Sequence, residues 1–261
     1  MKVSLNGVAL EFSDRGIGPA VILLHGFPLD RRIWSDQIEP LAKVCRVIAL
    51  DLRGHGRSGT TQGPYPMDLF ADDVLMLMTA MKVPKFAVVG HSMGGYIAFA
   101  LHRKAPERLS GIALVASRAK ADSEEARRIR EESAQRVEKE GMRSMAETMP
   151  DRLLNLEAPR SVMELVRDVI TTANPMGVAG ALRGMAMRPD ASAQLSTIRV
   201  PTLIAAGRGD RIVPVAESEA MAAAIPGSRT AWFDKSGHMP MVEEPAAFTD
   251  ALVAWASRAS A

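Results

Sequence analysis

Short runs of consecutive apolar residues alternate along the chain with segments whose apolar residues recur at helical spacing. The predicted strands cover residues 2–5, 8–12, 20–24, 46–50, 86–89, 109–115, 200–206 and 230–233. The predicted helices that alternate with them cover residues 34–42, 67–81, 95–103, 215–225 and 245–257. Two of these strands, residues 20–24 and 86–89, are apolar at every position, which is typical of a parallel sheet covered by helices on both faces. The pattern therefore predicts an α/β fold with a mostly parallel sheet.

The segment from residue 118 to residue 189 breaks this alternation. It is helical in pattern, rich in charged residues and methionine, and contains no Phe, Tyr, Trp or Cys. Asp122 is predicted to cap its first helix, which Gly141 would end. Residues 1–117 and 190–261 are predicted to form one core domain, and residues 118–189 a helical cap inserted after the sixth strand. Open α/β sheets bind ligands at the carboxyl edge of the strands, so the cap is expected to cover that edge.

Composition and charge narrow the classes of function. The chain has 261 residues, of which 47% are hydrophobic and 24% charged, enough to bury a large core. A formal net charge of +2, with no basic cluster interleaved with aromatic residues, argues against a nucleic-acid partner. No apolar run suits a signal core or a membrane span, so we expect a cytoplasmic protein without a membrane partner. Cys45 is the only cysteine and is predicted to be buried and unreactive.

The strongest chemical signal is the sequence Gly90-His91-Ser92-Met93-Gly94. It follows an apolar strand and precedes a helical pattern, and this context favours a nucleophile over a plain glycine–serine turn. The glycines beside Ser92 permit a sharp turn that holds the hydroxyl away from the sheet. A serine hydroxyl is a weak nucleophile, so this interpretation requires a base and an orienting acid elsewhere in the chain.

His238 and Asp210 are the predicted base and acid. His238 follows the strand over residues 230–233. Of the other four histidines, His91 lies in the turn beside Ser92 (the elbow), His25 and His55 lie in loops, and His102 lies late in a helix. Asp210 follows the strand over residues 200–206, and the chain order serine, aspartate, histidine is that of hydrolases built on such sheets. A surface histidine and a helix-capping aspartate are the alternative interpretations, and Asp234 is the rival candidate for the acid.

The loop after the strand over residues 20–24 is predicted to complete an oxyanion hole. Gly26 would let the backbone pass close to Ser92, so that the N–H of Phe27 and the N–H of Met93 could bind one oxygen. The alternative is a tight turn in which Phe27 simply packs in the core.

The predicted substrate-binding residues are Gly26, Trp34, His91 and Met239. Trp34 could equally be a structural aromatic residue. Methionines of the cap, with Met93, Met239 and Met241 beside the site, would form an adaptable apolar pocket, although methionines at helical spacing more often pack in a core. Basic and acidic residues balance in number between residues 118 and 190, so the cap offers no net attraction for an anion. We therefore expect short, uncharged esters as substrates, an expectation that one well-placed arginine would reverse.

Five segments together resemble the α/β-hydrolase superfamily, and the resemblance extends over nearly the whole chain. These segments are residues 25–28, 51–58, 90–94, 207–214 and 237–238. Within the superfamily the chain resembles small single-chain carboxylesterases and the related 3-oxoadipate enol-lactonases, and residues 25–34 and 185–190 look most like certain bacterial esterases. The resemblance implies a triad of Ser92, Asp210 and His238 with Phe27 and Met93 as oxyanion donors, and neither a metal nor an organic cofactor.

The resemblance also sets limits. A serine at the elbow argues against haloalkane dehalogenases and epoxide hydrolases, and the single glycine before Phe27 differs from the His-Gly-Gly-Gly loop of another esterase branch. A carboxylesterase acting on a small-molecule ester is the preferred hypothesis. A lactonase or carbon–carbon-bond hydrolase with the same triad is the second, and a small-molecule sensor on a hydrolase frame is the third. The oligomeric state stays open between monomer and dimer.

Overall fold

The computed structural model describes residues 1–259 and contains one sheet of eight strands. The strands are β1 (Lys2–Leu5), β2 (Val8–Arg15), β3 (Ala20–Leu24), β4 (Arg46–Leu50), β5 (Phe86–His91), β6 (Leu109–Val115), β7 (Thr202–Gly207) and β8 (Arg229–Phe233). Their order in the sheet is β1-β2-β4-β3-β5-β6-β7-β8. β2 pairs antiparallel with β1 and β4, and every other neighbouring pair is parallel. This is the predicted α/β-hydrolase architecture.

The central strands are buried along their whole length. Every residue of β3, β5 and β7 is buried, which explains why these segments are apolar runs without alternation. The carboxyl ends of β5, β7 and β8 lie at one edge of the sheet, because these strands run parallel. The loops that follow them carry Ser92, Asp210 and His238, and the topology therefore brings three distant parts of the chain to one edge.

Ten α-helices are present within the described part of the chain, and they flank and cover the sheet. They are α1 (Ser35–Ala42), α2 (Met67–Ala80), α3 (Met93–Lys104), α4 (Glu124–Glu140), α5 (Arg143–Leu153), α6 (Arg160–Thr171), α7 (Pro175–Ala186), α8 (Val215–Ala224), α9 (Pro240–Glu243) and α10 (Pro245–Ala259). α1 packs against α10, and α2 packs against α3. Among the described residues no helix combines the length and the apolar character needed to cross a membrane.

Helices α4 to α7 form one helical segment between β6 and β7, and we call this segment the cap. α4 packs against α7, and α5 packs against α6. The N–H of Tyr65 donates to the carbonyl of Gly180 in α7 at 2.9 Å, and Arg32 bonds to Thr172 after α6 at 2.9 Å. The predicted boundaries at residues 118 and 189 stay a prediction, but the insertion after the sixth strand is observed.

The main local difference from the sequence prediction lies at the start of α4. Ser123, not Asp122, caps this helix, and its side chain accepts a hydrogen bond from the N–H of Ala126. The predicted N-cap at Asp122 was wrong, because the carboxylate of Asp122 is buried and pairs with arginines instead. At the other end Gly141 terminates the helix with φ +73°, as predicted. α3 begins at Met93, two residues before its predicted start.

Candidate active site

Ser92 occupies the junction between β5 and α3. Its backbone angles are φ +51° and ψ −109°, outside the regions that non-glycine residues favour. The surrounding structure holds it there: the N–H of Ser92 donates to the Val115 carbonyl at 2.8 Å, and the hydroxyl of Ser117 donates to the Ser92 carbonyl at 2.9 Å. Such strained positions cost roughly 1–3 kcal/mol and cluster at functional sites, which supports a functional role for this serine.

The glycines on either side of Ser92 are required by close approaches. A methyl group at Gly90 would overlap the carbonyl oxygen of Gly94, and a methyl group at Gly94 would overlap the carbonyl oxygen of Leu24. The turn is therefore tight enough that α3 starts directly against the end of β3, which explains the Gly-x-Ser-x-Gly pattern physically.

His238 and Asp210 are joined by a short hydrogen bond. Nδ1 of His238 lies 2.7 Å from Oδ2 of Asp210, and both side chains are fully buried. An ionised carboxylate only accepts hydrogen bonds, so Nδ1 carries the proton and Nε2 is left as the basic nitrogen. Oδ1 of Asp210 accepts from the N–H groups of Ile212 and Val213 at 2.8 and 2.9 Å. The carboxylate thus fixes the turn after β7 and the imidazole at the same time.

Ser92 and His238 line one cavity of about 80 Å³ beneath the cap. Phe27 and Tyr96 also line it, and the remaining wall residues are Arg118, Arg130, Met149, Leu153, Met185, Ile212 and Val213. The structure therefore brings the predicted nucleophile, base and acid together. Asp234, the rival for the acid, instead pairs with Arg208 at 2.9 Å, and its side chain is 81% exposed.

Glu243 holds the loop that carries His238. Its carboxylate accepts hydrogen bonds from the N–H groups of Gly237 and Met239, on both sides of the histidine, at 2.9 and 3.0 Å. It also accepts from the N–H of Asn155, which follows α5. Burial raises the pKa of Glu243, and these three hydrogen bonds oppose that rise. Sequence reasoning did not identify this residue, because it lies in a short helix after the loop and its partners are backbone groups.

His91 forms a hydrogen bond with the backbone of His238. Nε2 of His91 lies 2.9 Å from the carbonyl oxygen of His238, so this nitrogen carries the proton and donates. Burial holds the pKa of His91 well below its usual range, which keeps the ring neutral. His91 was predicted to bind substrate, but it is fully buried and does not line the cavity.

The two predicted oxyanion donors flank the serine. Phe27 lines the cavity, and the N–H of Met93 is the first of α3, which has no acceptor within its own helix. Within the described part of the chain neither N–H donates to another group. A methyl group at Gly26 would lie 3.1 Å from Cβ of Ser92, so the loop before Phe27 passes directly beside the serine. This arrangement leaves both donors available to a substrate oxygen.

The other predicted pocket residues lie in the core. Trp34 is fully buried and stacks on Phe248 with ring centroids 6.2 Å apart, and Met239 and Met241 are also fully buried. None of these three residues lines the cavity beside Ser92. The methionines that do line it, Met149 and Met185, belong to the cap.

Three arginines surround one carboxylate at the cap side of the cavity. Asp122 contacts Arg118 at 2.8 Å, Arg188 at 2.7 Å and Arg130 at 2.5 Å, and its own side chain is fully buried. Burial alone would raise the pKa of Asp122, but the hydrogen bonds from Arg188 and Arg130 outweigh burial and lower it to about 2. The guanidinium of Arg188 also lies over the ring of Tyr96, 4.1 Å from its centroid. We call these four charged residues the arginine cluster.

No group of three or more His, Cys, Asp or Glu side chains within residues 1–259 is arranged to hold a metal ion. Cys45 is buried, and burial raises the pKa of its thiol to about 11. The chemistry that these residues offer is thus concentrated at Ser92, His238 and Asp210, together with the arginine cluster.

This chain is similar to known proteins in both sequence and structure. The family model for the alpha/beta hydrolase fold matches residues 19–245. The solved structure of a thermophilic esterase from Thermogutta terrifontis, with malate bound, is 40% identical in sequence and has a TM-score of 0.97. The match covers 100% of this chain and 100% of that chain. A solved enol-lactonase from Burkholderia xenovorans is 28% identical with a TM-score of 0.92, covering 98% of this chain and 100% of that one. The 3-oxoadipate enol-lactonase 2 of Acinetobacter baylyi is 29% identical over 97% of this chain and 92% of its own length.

Proposed function

The chain belongs to the α/β-hydrolase family and is a hydrolase of esterase or lactonase type, and we propose that it cleaves short-chain carboxylic esters through an acyl-serine intermediate. The observation that carries this proposal is the cavity shared by Ser92 and His238, with His238 hydrogen-bonded to Asp210. The esterase from Thermogutta terrifontis, matched over its full length, supports an ester as the substrate.

In the first half of the proposed reaction, Oγ of Ser92 attacks the ester carbonyl while Nε2 of His238 takes the hydroxyl proton. The carbonyl oxygen becomes an oxyanion and accepts hydrogen bonds from the N–H groups of Phe27 and Met93. When the tetrahedral intermediate collapses, the bond to the alcohol oxygen breaks and His238 gives that oxygen its proton. The acyl group remains on Ser92 as an ester.

In the second half, a water molecule attacks the acyl-serine and His238 takes one of its protons. Collapse of the second intermediate breaks the bond to Oγ, and His238 returns the proton to Ser92. Asp210 stabilises the imidazolium in both halves without taking the proton itself. The products are the free acid and the alcohol.

A lactonase is the second candidate, because enol-lactonases match the chain over nearly its whole length. The same residues would open a cyclic ester, with the leaving alcohol still attached to the acyl group. Both candidates use the same nucleophile, so only the substrate distinguishes them.

Turnover of p-nitrophenyl acetate and butyrate tests the proposal. We expect Ser92→Ala to abolish turnover. In the parent protein, Oγ of Ser92 should displace p-nitrophenolate from a p-nitrophenyl alkylphosphonate, which adds the mass of the alkylphosphonyl group to the peptide that contains Ser92. The control is Ser257→Ala, which changes an exposed serine on α10 and should keep the full rate. Full activity in Ser92→Ala would refute the mechanism. A panel of aliphatic lactones and vinylogous diketones assayed in parallel then ranks the esterase against the lactonase and the carbon–carbon-bond hydrolase.

A further inference from the structure

A second, larger cavity leads away from the candidate active site into the cap. Its volume is about 370 Å³, and its walls come mainly from α4 and α5. It shares Phe27, Arg118, Arg130, Met149 and Ile212 with the smaller cavity that contains Ser92, so the two cavities lie side by side. We call this larger cavity the vestibule.

The charged residues that line the vestibule all have the same sign. They are Arg118, Arg130, Arg136 and Arg152, and no Asp or Glu is among the lining residues. Arg136 and Arg152 are exposed and make no ion pair with the described residues. The vestibule therefore presents four guanidinium groups to a molecule that approaches Ser92 from the cap side.

The arginine cluster keeps a net positive charge where the vestibule meets the inner cavity. Asp122 neutralises one of the three guanidiniums that contact it, and its own carboxylate is fully buried. Arg188 is also buried, and it donates to the carbonyls of Met185 and Lys120, so its role is to anchor the cluster.

Arg118 and Arg130 differ from Arg188 in their exposure. Their side chains are 27% and 18% exposed, and both line the vestibule and the inner cavity. Nε of Arg118 is buried and has no hydrogen-bond partner among the described residues. Asp122 accepts from Nη2 of Arg118 and from Nε and Nη2 of Arg130, which fixes both guanidiniums at the cavity wall. Nη1 of Arg118 has no hydrogen-bond partner among the described residues, and Nη1 of Arg130 contacts only the sulfur of Met185 at 3.5 Å, so each guanidinium keeps a terminal N–H group that a ligand can bind. Two guanidiniums held by the same buried carboxylate are suited to a second carboxylate, which can accept a charge-assisted hydrogen bond from each of them.

We propose that Arg118 and Arg130 form a carboxylate subsite, so that the preferred substrate is an ester or lactone that carries a second, ionised carboxyl group. This inference rests on the proposed hydrolase activity and names its substrate class. Arg136 and Arg152 attract such a substrate to the vestibule, and Asp122 positions the two binding arginines. A neutral ester of the same length reaches Ser92 without these interactions.

Two matched pairs of esters test the substrate class. In p-nitrophenyl hydrogen adipate and p-nitrophenyl methyl adipate, a methyl ester removes the charge on the acyl side; in 4-acetoxybenzoate and its methyl ester, it removes the charge on the leaving group, and the rate of alkaline hydrolysis of each ester corrects for its intrinsic reactivity. We expect the charged member of at least one pair to have a kcat/KM about tenfold to a hundredfold higher, as one charge-assisted hydrogen bond supplies. Equal values within both pairs would overturn the subsite.

Three variants connect this preference with the named residues. Arg130→Met should lower kcat/KM of the charged ester more than that of its neutral partner. The double variant Arg136→Met/Arg152→Met changes exposed, unpaired side chains, so it should fold normally and weaken both the preference and its dependence on salt. Arg160→Met is the control, because that side chain is 91% exposed on α6 and does not line the vestibule. A preference that survives both vestibule variants would refute the assignment.

A binding measurement separates failure of the subsite from failure of the proposed function. Glutarate is titrated calorimetrically into Ser92→Ala and into Ser92→Ala/Arg130→Met. Binding that the second change abolishes supports the subsite even if no ester is turned over, a result that would refute only the proposed function. Turnover of neutral esters with no glutarate binding would refute the subsite and leave the esterase intact.

Discussion

Replacement of Asp210 by asparagine tests the candidate active site most directly. The carboxylate accepts three hydrogen bonds: Oδ2 from Nδ1 of His238, and Oδ1 from the N–H groups of Ile212 and Val213. The amide in Asp210→Asn has one acceptor oxygen and one NH₂ group, so it cannot serve both sides. If the oxygen faces His238, the NH₂ group opposes two buried backbone donors. If the oxygen faces those donors, the NH₂ group opposes Nδ1.

The structure decides between these two orientations. A buried donor left without an acceptor costs roughly 1–3 kcal/mol, so the first orientation costs about 2–6 kcal/mol. The second orientation is therefore favoured, and it requires Nδ1 of His238 to accept. The ring proton then resides on Nε2, which can no longer take the proton of Ser92. Turning the amide to recover the productive tautomer costs at least about 2 kcal/mol. Loss of the carboxylate charge that stabilises the imidazolium costs roughly 1.5 kcal/mol or more. Together they predict a fall in kcat of at least about 300-fold.

The assay is the hydrolysis of p-nitrophenyl butyrate, with thermal unfolding recorded for each variant. Asp234→Asn is the matched control, because it makes the same chemical change in the exposed rival carboxylate and should keep the full rate. The reasoning fails if kcat of Asp210→Asn stays within about tenfold of the kcat of the parent protein. It also fails if Asp234→Asn is the variant that loses activity.

Three further predictions concern the loop of His238, the loop beside Ser92 and the buried thiol of Cys45. In Glu243→Gln, an NH₂ group replaces one of the two oxygens that accept hydrogen bonds from three backbone N–H groups. We therefore expect the unfolding free energy to fall by about 1–3 kcal/mol and kcat to fall as well, and unchanged denaturant unfolding and kcat would contradict this role. In Gly26→Ala the added methyl group would lie 2.5 Å from Nδ1 of His91, so calorimetry should show a lower Tm, with overpacking costing about 1–3 kcal/mol, and an unchanged Tm would contradict the close approach. Burial raises the pKa of Cys45 to about 11, so a disulfide reagent at pH 8 should modify the native chain far more slowly than the unfolded chain; since only the unfolded thiol ionises between pH 9.0 and about 11, unfolding free energy should fall over that range.

The sequence predicted the central part of the sheet well because β3, β5 and β7 are buried along their whole length. Residues 20–24, 46–50 and 109–115 were predicted with the bounds that the structure has. The elbow and the loop of His238 could be placed at one edge of the sheet from the chain order alone. Parallel strands all end at the same edge, so no side-chain contact had to be known.

Positions whose environment depends on distant residues could not be predicted in this way. Trp34 packs against Phe248, more than two hundred residues later in the chain, and this contact places it in the core. Asp122 has the local pattern of a helix cap, but Arg188 and Arg130 recruit its carboxylate. In both cases the local pattern was compatible with two structures, and a tertiary contact selected one of them.

The charge of the cap illustrates the same limit and bears directly on the substrate. Basic and acidic residues are equal in number between residues 118 and 190, which predicts no attraction for an anion. The structure separates them in space: Arg183 pairs with Glu131 and Glu138 outside the vestibule, whereas among residues 1–259 the three arginines beside the cavity pair with a single carboxylate, that of Asp122. Exposed pairs are screened by water and contribute little, but charges near a buried site interact strongly over a few ångströms. The local excess of guanidinium groups, and not the net charge of the cap, therefore determines which substrates are drawn toward Ser92.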